Sequence, residues 1–160
     1  MKVLLAVDPG LNSCGWALFH HQEPVRAGII EPRERGGDAF VSRCATVVRQ
    51  LRNQILDEDP PVEVVCEWMQ MFGSASSAMA WKTGDLQRPI FLVGMLAGRL
   101  WIPADRFHVV TPNEWKGQLP KDEVIRRIRR LLGEQTCEEL HLVKDAWDAV
   151  GIGLHHVGRF

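Results

Sequence analysis

Val3-Leu4-Leu5-Ala6-Val7-Asp8-Pro9-Gly10 is the stretch that decides the fold. Its apolar residues run without a polar break, which suits a strand buried on both faces, and the turn formers Asp8, Pro9 and Gly10 end it. A strand that closes on an acid puts a carboxylate at a sheet edge. Downstream, Gly15 to Phe19 and Arg26 to Ile30 read as two more strands joined by a loop from His20 to Pro24, together an antiparallel meander. Asp38 is placed to cap a helix with apolar positions Phe40, Cys44, Val47, Val48, Leu51 and Ile55. Val62 to Cys66 is then a β-branched run that ends in Glu67, and helix followed by strand suggests a parallel crossover.

Further on, a helix is expected from Asp85 to Leu100, with Pro89 tolerated near its start, and a fifth strand from Arg106 to Val110. Thr111-Pro112-Asn113-Glu114 fits a capping box opening a short helix. Lys121 to Leu132 and Lys144 to Val157 read as the last two helices. This order is that of an α/β fold built on a five-stranded mixed sheet. No G-x-G-x-x-G follows the first strand, which excludes a dinucleotide-binding reading.

The 160 residues suit one domain, 1–160, that buries roughly 70% of its unfolded surface. The longest apolar stretch, Ile90 to Ile102, is broken by Arg99 and falls short of the ~20 residues that cross a bilayer, so no membrane partner is expected. Val3 to Val7 is too short for the apolar part of a signal peptide, and an intracellular protein is expected. Cys14, Cys44, Cys66 and Cys137 lie far apart with no C-x-x-C pair, which argues for reduced, mostly buried thiols. Lys and Arg number 19 against 20 Asp and Glu, so nucleic-acid binding would need a local basic surface. The Ile90 to Leu100 helix is apolar round most of its girth and reads as core and as a dimer interface. His20-His21 and His155-His156 read as surface pairs without convergent partners.

Asp8 and Glu67 close strands, and Asp145 and Asp148 sit on the last helix. Parallel neighbouring strands would bring Asp8 and Glu67 out at one sheet edge, where ligands gather in α/β folds. At about 100° per residue, Asp145 and Asp148 lie ~60° apart on a helix, with Val143, Trp147, Val150 and Leu154 as a stripe on the other side. Carboxylates held together repel unless a cation compensates, and oxygen-only ligation suits Mg²⁺ or Mn²⁺. Two such ions about 4 Å apart match phosphodiester hydrolysis. Any one of these acids alone reads as a solvated strand end or helix face; their conjunction at element ends favours a site.

Ala6-Val7-Asp8-Pro9-Gly10 with Gly15, Val65-Cys66-Glu67, and Lys144-Asp145-Ala146-Trp147-Asp148-Ala149 resemble the active-site motifs of RuvC-type Holliday junction resolvases. Thr111 to Lys121, with Glu114-Trp115-Lys116-Gly117 before Pro120-Lys121, is similar to divergent, often phage-encoded members. The resemblance implies a ribonuclease H-like fold with helices on both faces of the sheet, a homodimer, and paired nicks across a four-way DNA junction in a bacterial or phage-infected cytoplasm. It also implies two Mg²⁺ ions held by Asp8, Glu67, Asp145 and Asp148, and a Lys121 that stabilises charge at the scissile phosphate. The product would carry a 5′-phosphate.

Trp68, Met71 and Phe72 follow Glu67 and precede a Gly/Ser stretch; an apolar tip there could wedge into a branch point. The family places an aromatic residue three positions after the acid; here that position is Gln70, which leaves Phe72 or Trp68 as the wedge and a core role as the alternative for Trp68. Lys116, Lys121, Arg126, Arg127, Arg129 and Arg130 form the densest basic cluster and are candidates for phosphate contacts, against a solvated helix face. Competing functions are a general debranching nuclease, a ribonuclease H, a catalytically silent junction binder and a nucleotide-binding module of the actin and sugar-kinase type. The last needs two domains and further glycine-rich loops, which 160 residues do not supply.

Overall fold

The computed structural model describes residues 3–33, 39–55, 62–69, 79, 82–83 and 87–160. The strands are β1 (Val3–Asp8), β2 (Cys14–His20), β3 (Glu23–Ile30), β4 (Val62–Glu67) and β5 (Phe107–Val110). They form one five-stranded sheet in the order β3-β2-β1-β4-β5. The pairs β1–β2 and β2–β3 are antiparallel, whereas β4 is parallel to both β1 and β5. β2 and β3 are longer than the sequence suggested because the expected loop from His20 to Pro24 contracts to a tight turn, with His21 at φ +58°. Pro24 is tolerated in β3 because that strand lies at the sheet edge.

The helices are α1 (Ala39–Ile55), α2 (Gln87–Arg99), α3 (Pro112–Trp115), α4 (Lys121–Leu132), α5 (Glu134–Glu139) and α6 (Ala146–His156). The expected Asp38 cap and the start of α2 at Asp85 lie outside the described residues. α5 was not foreseen: Gly133, at φ +82°, ends α4 and lets a short polar turn begin at once.

Alternation along the strands splits the core in two. Val3, Leu5, Val7, Val64 and Cys66 face α1 and α2, while Leu4, Ala6 and Val65 face α4 and α6. Helices therefore cover both faces. Buried Leu, Val and Phe side chains contribute about 1.5–3 kcal/mol each. All four cysteines are free and buried, in agreement with the sequence reading.

Two expectations change. The outer side of α2 is open: only Leu92, Val93 and Leu96 are buried within it, while Phe91, Gly94 and Gly98 are exposed. The helix packs on α1 by one face, so apolar composition did not mean burial all round. α6 shows the opposite departure. It begins after Lys144 and Asp145, and every residue from Ala146 to Leu154 is buried, Asp148 included. It lies between the sheet and the α3–α4 segment, so the proposed two-sided helix with a Val143 stripe does not form; Val143 is exposed. Among the described residues no helix is long and apolar enough to cross a membrane.

Candidate metal centre and its surroundings

Asp8 and Glu67 lie one step beyond the paired residues Val7 and Cys66, at the ends of adjacent parallel strands. By the alternation of β1 and β4 both point to the face covered by α6. Asp8 also pairs in register with Gly15 of β2. A Cβ at Gly15 would lie 2.1 Å from the Asp145 carbonyl oxygen, so only glycine lets the chain entering α6 come this close. The preceding Lys144 holds φ +41°, a costly left-handed conformation that redirects the chain, and its ammonium is tied to Glu31. Asp145 occupies the N-cap position of α6 without using its side chain as a cap, which leaves the carboxylate for the site.

The result is a convergence of three carboxylates. One oxygen each from Asp8, Asp145 and Asp148 lies within 4.8 Å of the others. Burial, then the charges of Glu67, Asp148 and Asp145, push the Asp8 carboxyl well above its usual range. Burial also raises Glu67, opposed by its hydrogen bond from Trp115 and by Lys116. These acids fit a divalent cation: the donor set is all oxygen, and their mutual repulsion is the kind a hard cation relieves.

Glu67 stands beside this trio and has its own partners. Trp115 Nε1 donates to Glu67 Oε2 at 2.7 Å, and Lys116 Nζ lies 3.9 Å from the same oxygen. The short α3 makes this possible. Thr111 Oγ1 accepts from the Glu114 backbone N–H while Glu114 Oε2 accepts from the Thr111 backbone N–H, the expected capping box. That box fixes α3 directly after β5, and the buried Trp115 ring packs against Gly151 of α6, where a Cβ would lie 2.5 Å from the ring. Trp115 as the partner of Glu67 was missed from the sequence. The signal was present in Thr111-Pro112-Asn113-Glu114-Trp115, which follows the strand next to β4.

Lys121, the first residue of α4, reaches Asp148 Oδ2 at 2.6 Å and Asp145 Oδ1 at 3.4 Å. Partial burial works against its charge, but the hydrogen bonds to and charges of Asp148 and Asp145 outweigh this and raise its pKa.

No protein-family model matches the sequence, and no curated protein is similar to it in sequence. Solved structures are similar in fold. Thermus thermophilus RuvC in complex with a Holliday junction substrate superposes with a TM-score of 0.68 at 18% identity, covering 98% of this chain and 92% of that one. A second Thermus thermophilus RuvC structure gives 0.61 at 16% identity, covering 97% and 93%. This is the RuvC fold. It is ribonuclease H-like, as the resemblance of the acidic motifs implied.

On this RuvC fold the candidate DNA-contacting residues separate. Trp68 is half-buried and packs against the α1–α2 core, with its backbone N–H bonded to the Val110 carbonyl; this is the packing alternative weighed from the sequence. Met71 and Phe72 lie outside the described residues. Lys116 sits 4.7 Å over the Trp115 ring, at the rim of the acidic site. The basic cluster does not form one surface with Lys121. At about 100° per residue, Arg126 and Arg130 fall roughly opposite Lys121 round α4, because Val124 and Ile128 define its buried side. Arg126 pairs with Glu123 at 2.6 Å, Arg127 lies over Phe160, and Arg129 lies over Trp147 and near Glu134.

The paired-histidine reading also needs correction. His156 does have convergent partners, Glu63 of β4 and His108 of β5. They come from distant parts of the chain, which no local reading of His155-His156 could show.

Proposed function

We propose that the chain is a divalent-metal-dependent endonuclease of branched DNA that resolves four-way junctions by paired nicks. The observation that carries this reading is the convergence of Asp8, Asp145 and Asp148, with Glu67 beside them, at one sheet edge of a RuvC fold. One structure similar in fold, that of Thermus thermophilus RuvC, is a complex with a Holliday junction substrate.

Asp8, Glu67, Asp145 and Asp148 would hold two Mg²⁺ ions, with Mn²⁺ as a substitute. Such ions, when bound, supply an activated water and stabilisation of the leaving oxygen. The chain's own groups do the rest. Trp115 fixes the Glu67 carboxylate by its N–H, so one oxygen is oriented before any ligand arrives. Lys121 carries a positive charge to the mouth of the site, where it would stabilise the charge that develops on a phosphate. Lys116, at the rim, would contact a flanking phosphate.

Among the described residues one chain carries one such acidic site, so paired nicks on opposed strands call for a homodimer. The open outer face of α2, with Phe91, Gly94 and Gly98 uncovered, is the surface we assign to that contact. The test is cleavage of a fixed four-way junction, a three-way branch, a linear duplex and an RNA–DNA hybrid, with Mg²⁺ and with EDTA. Cleavage confined to the four-way junction supports a resolvase. Equal cutting of all branches makes it a debranching nuclease, hybrid-only cutting makes it a ribonuclease H, and tight junction binding without cutting removes the catalytic reading.

A further inference from the structure

Glu63, His108 and His156 meet on the sheet face that also carries the acidic site, but at its other end. Glu63 and Glu67 are four residues apart on β4, roughly 13 Å. Asp148 and His156 are eight residues apart on α6, roughly 12 Å. His108 enters from the edge strand β5, where it pairs in register with Val65. The trio therefore joins β4, β5 and the C-terminal end of α6.

We propose that Glu63, His108 and His156 form a second metal site, selective for Zn²⁺ and similar first-row transition ions, that clamps the end of α6 to the sheet. The donor chemistry is that of such ions. Two imidazole nitrogens and one carboxylate oxygen bind Zn²⁺ with an open position for water, whereas Mg²⁺ prefers oxygen donors alone. The donor atoms are already gathered: His108 Nε2 is 2.8 Å and His156 Nε2 is 3.1 Å from Glu63 Oε1, and all three lie within 4.8 Å of one another. Ligands at 2.0–2.1 Å from a tetrahedral ion stand roughly 3.3–3.4 Å apart. The two short edges need to open by only a few tenths of an ångström.

Orientation adds a second argument. The two imidazole rings are 4.8 Å apart and tilted by 43°, and both present Nε2 to the same carboxylate oxygen. His156 Nε2 makes a hydrogen bond to that oxygen. His108 Nε2, closer still, is sealed from solvent and has no aligned hydrogen bond among the described residues. A purely hydrogen-bonded trio would align both N–H groups with the carboxylate. A nitrogen that is close, shielded and misaligned is instead set to turn its lone pair toward a shared ion.

The test uses the full chain carrying Asp8→Asn and Asp148→Asn, so that the acidic site does not compete. Co²⁺ alone is titrated while the visible spectrum is recorded, and Zn²⁺ alone is titrated while thermal unfolding is followed. The expected results are one ion per chain, the strong visible band of four- or five-coordinate Co²⁺, and a Tm rise of roughly 5–10 °C at a hundredfold excess of Zn²⁺ over its dissociation constant. His108→Gln and His156→Gln should each weaken binding at least tenfold. If His156→Gln fails to fold, His108→Gln on the edge strand still decides. Only the weak spectrum of six-coordinate Co²⁺, or a Zn²⁺ shift undiminished in His108→Gln, would overturn the proposal. The nuclease reading stands or falls separately, on cleavage by the unsubstituted protein.

Discussion

Trp115 Nε1 stands 2.7 Å from Glu67 Oε2, a buried hydrogen bond between residues 48 positions apart that joins the α3 turn to the end of β4. The bond does two things at once. It satisfies the indole N–H of a buried ring, and it stabilises the ionised form of a carboxylate that burial disfavours. Glu67 is thus held close enough for its charge to act on Asp8, and for that of Asp148 to act on it.

Replacing Trp115 by Phe removes the donor together with the outer ring atoms that face Gly151, so cleavage is compared at temperatures where the variant is folded. Loss of a partner to a metal-holding group commonly lowers affinity or activity 10–100-fold, and that is the expected fall in cleavage rate. The Mg²⁺ concentration for half-maximal rate should rise with it. A rate unchanged at every Mg²⁺ concentration would show that the Trp115 bond is structural only.

Lys121 makes a different prediction, because its ammonium occupies the space between Asp145 and Asp148 where a cation would bind. Lys121→Ala should bind Mn²⁺ more tightly in a titration yet cleave about 10²–10³-fold more slowly, the usual cost of losing a group that stabilises developing charge. Tighter metal with slower chemistry separates this role from simple metal binding.

The raised pKa of Asp8 gives the pH dependence its sign. An acid whose folded pKa lies above its unfolded value binds protons more tightly when folded, so it favours the fold at low pH. That contribution is lost as pH rises from the usual Asp range through the folded pKa. In the metal-free protein, denaturant titrations should therefore show Asp8 and Glu67 opposing stability increasingly toward neutral pH, and Mg²⁺ should restore more stability at pH 8 than at pH 5. Asp8→Asn removes the repulsion; it should abolish cleavage and stabilise the metal-free chain at pH 8 by roughly 0.5–2 kcal/mol.

Gly15 is the position where backbone packing and the site meet. Gly15→Ala drives a methyl group into the Asp145 carbonyl and should cost about 1–3 kcal/mol in chemical denaturation while displacing Asp145 from Asp8. Cleavage should fall even at temperatures where circular dichroism shows the variant folded.

Much of this architecture was legible before the structure. Val3 to Asp8 and Val62 to Glu67 announced themselves as buried strands ending in acids, and Thr111 to Glu114 announced its capping box, because each is a local pattern. What stayed hidden depends on register and packing. Trp115 finds Glu67 across 48 residues, with only the capping box before it as a local signal, and His156 finds Glu63 across 93 residues with none. The apolar count of α2 overstated its burial because one neighbouring helix can cover only one side. Conversely α6 hides Asp148 in its buried girth, where a carboxylate is unexpected unless it serves a site.

The most direct measurement is strand-by-strand mapping of nicks on an end-labelled four-way DNA junction, comparing the protein with its Asp8→Asn variant in Mg²⁺ and in EDTA. The account predicts nicks at matched positions on two opposed strands, only in Mg²⁺ and only with Asp8 intact. Nicks that persist in EDTA or in Asp8→Asn, or an uncut junction under every condition, would contradict it.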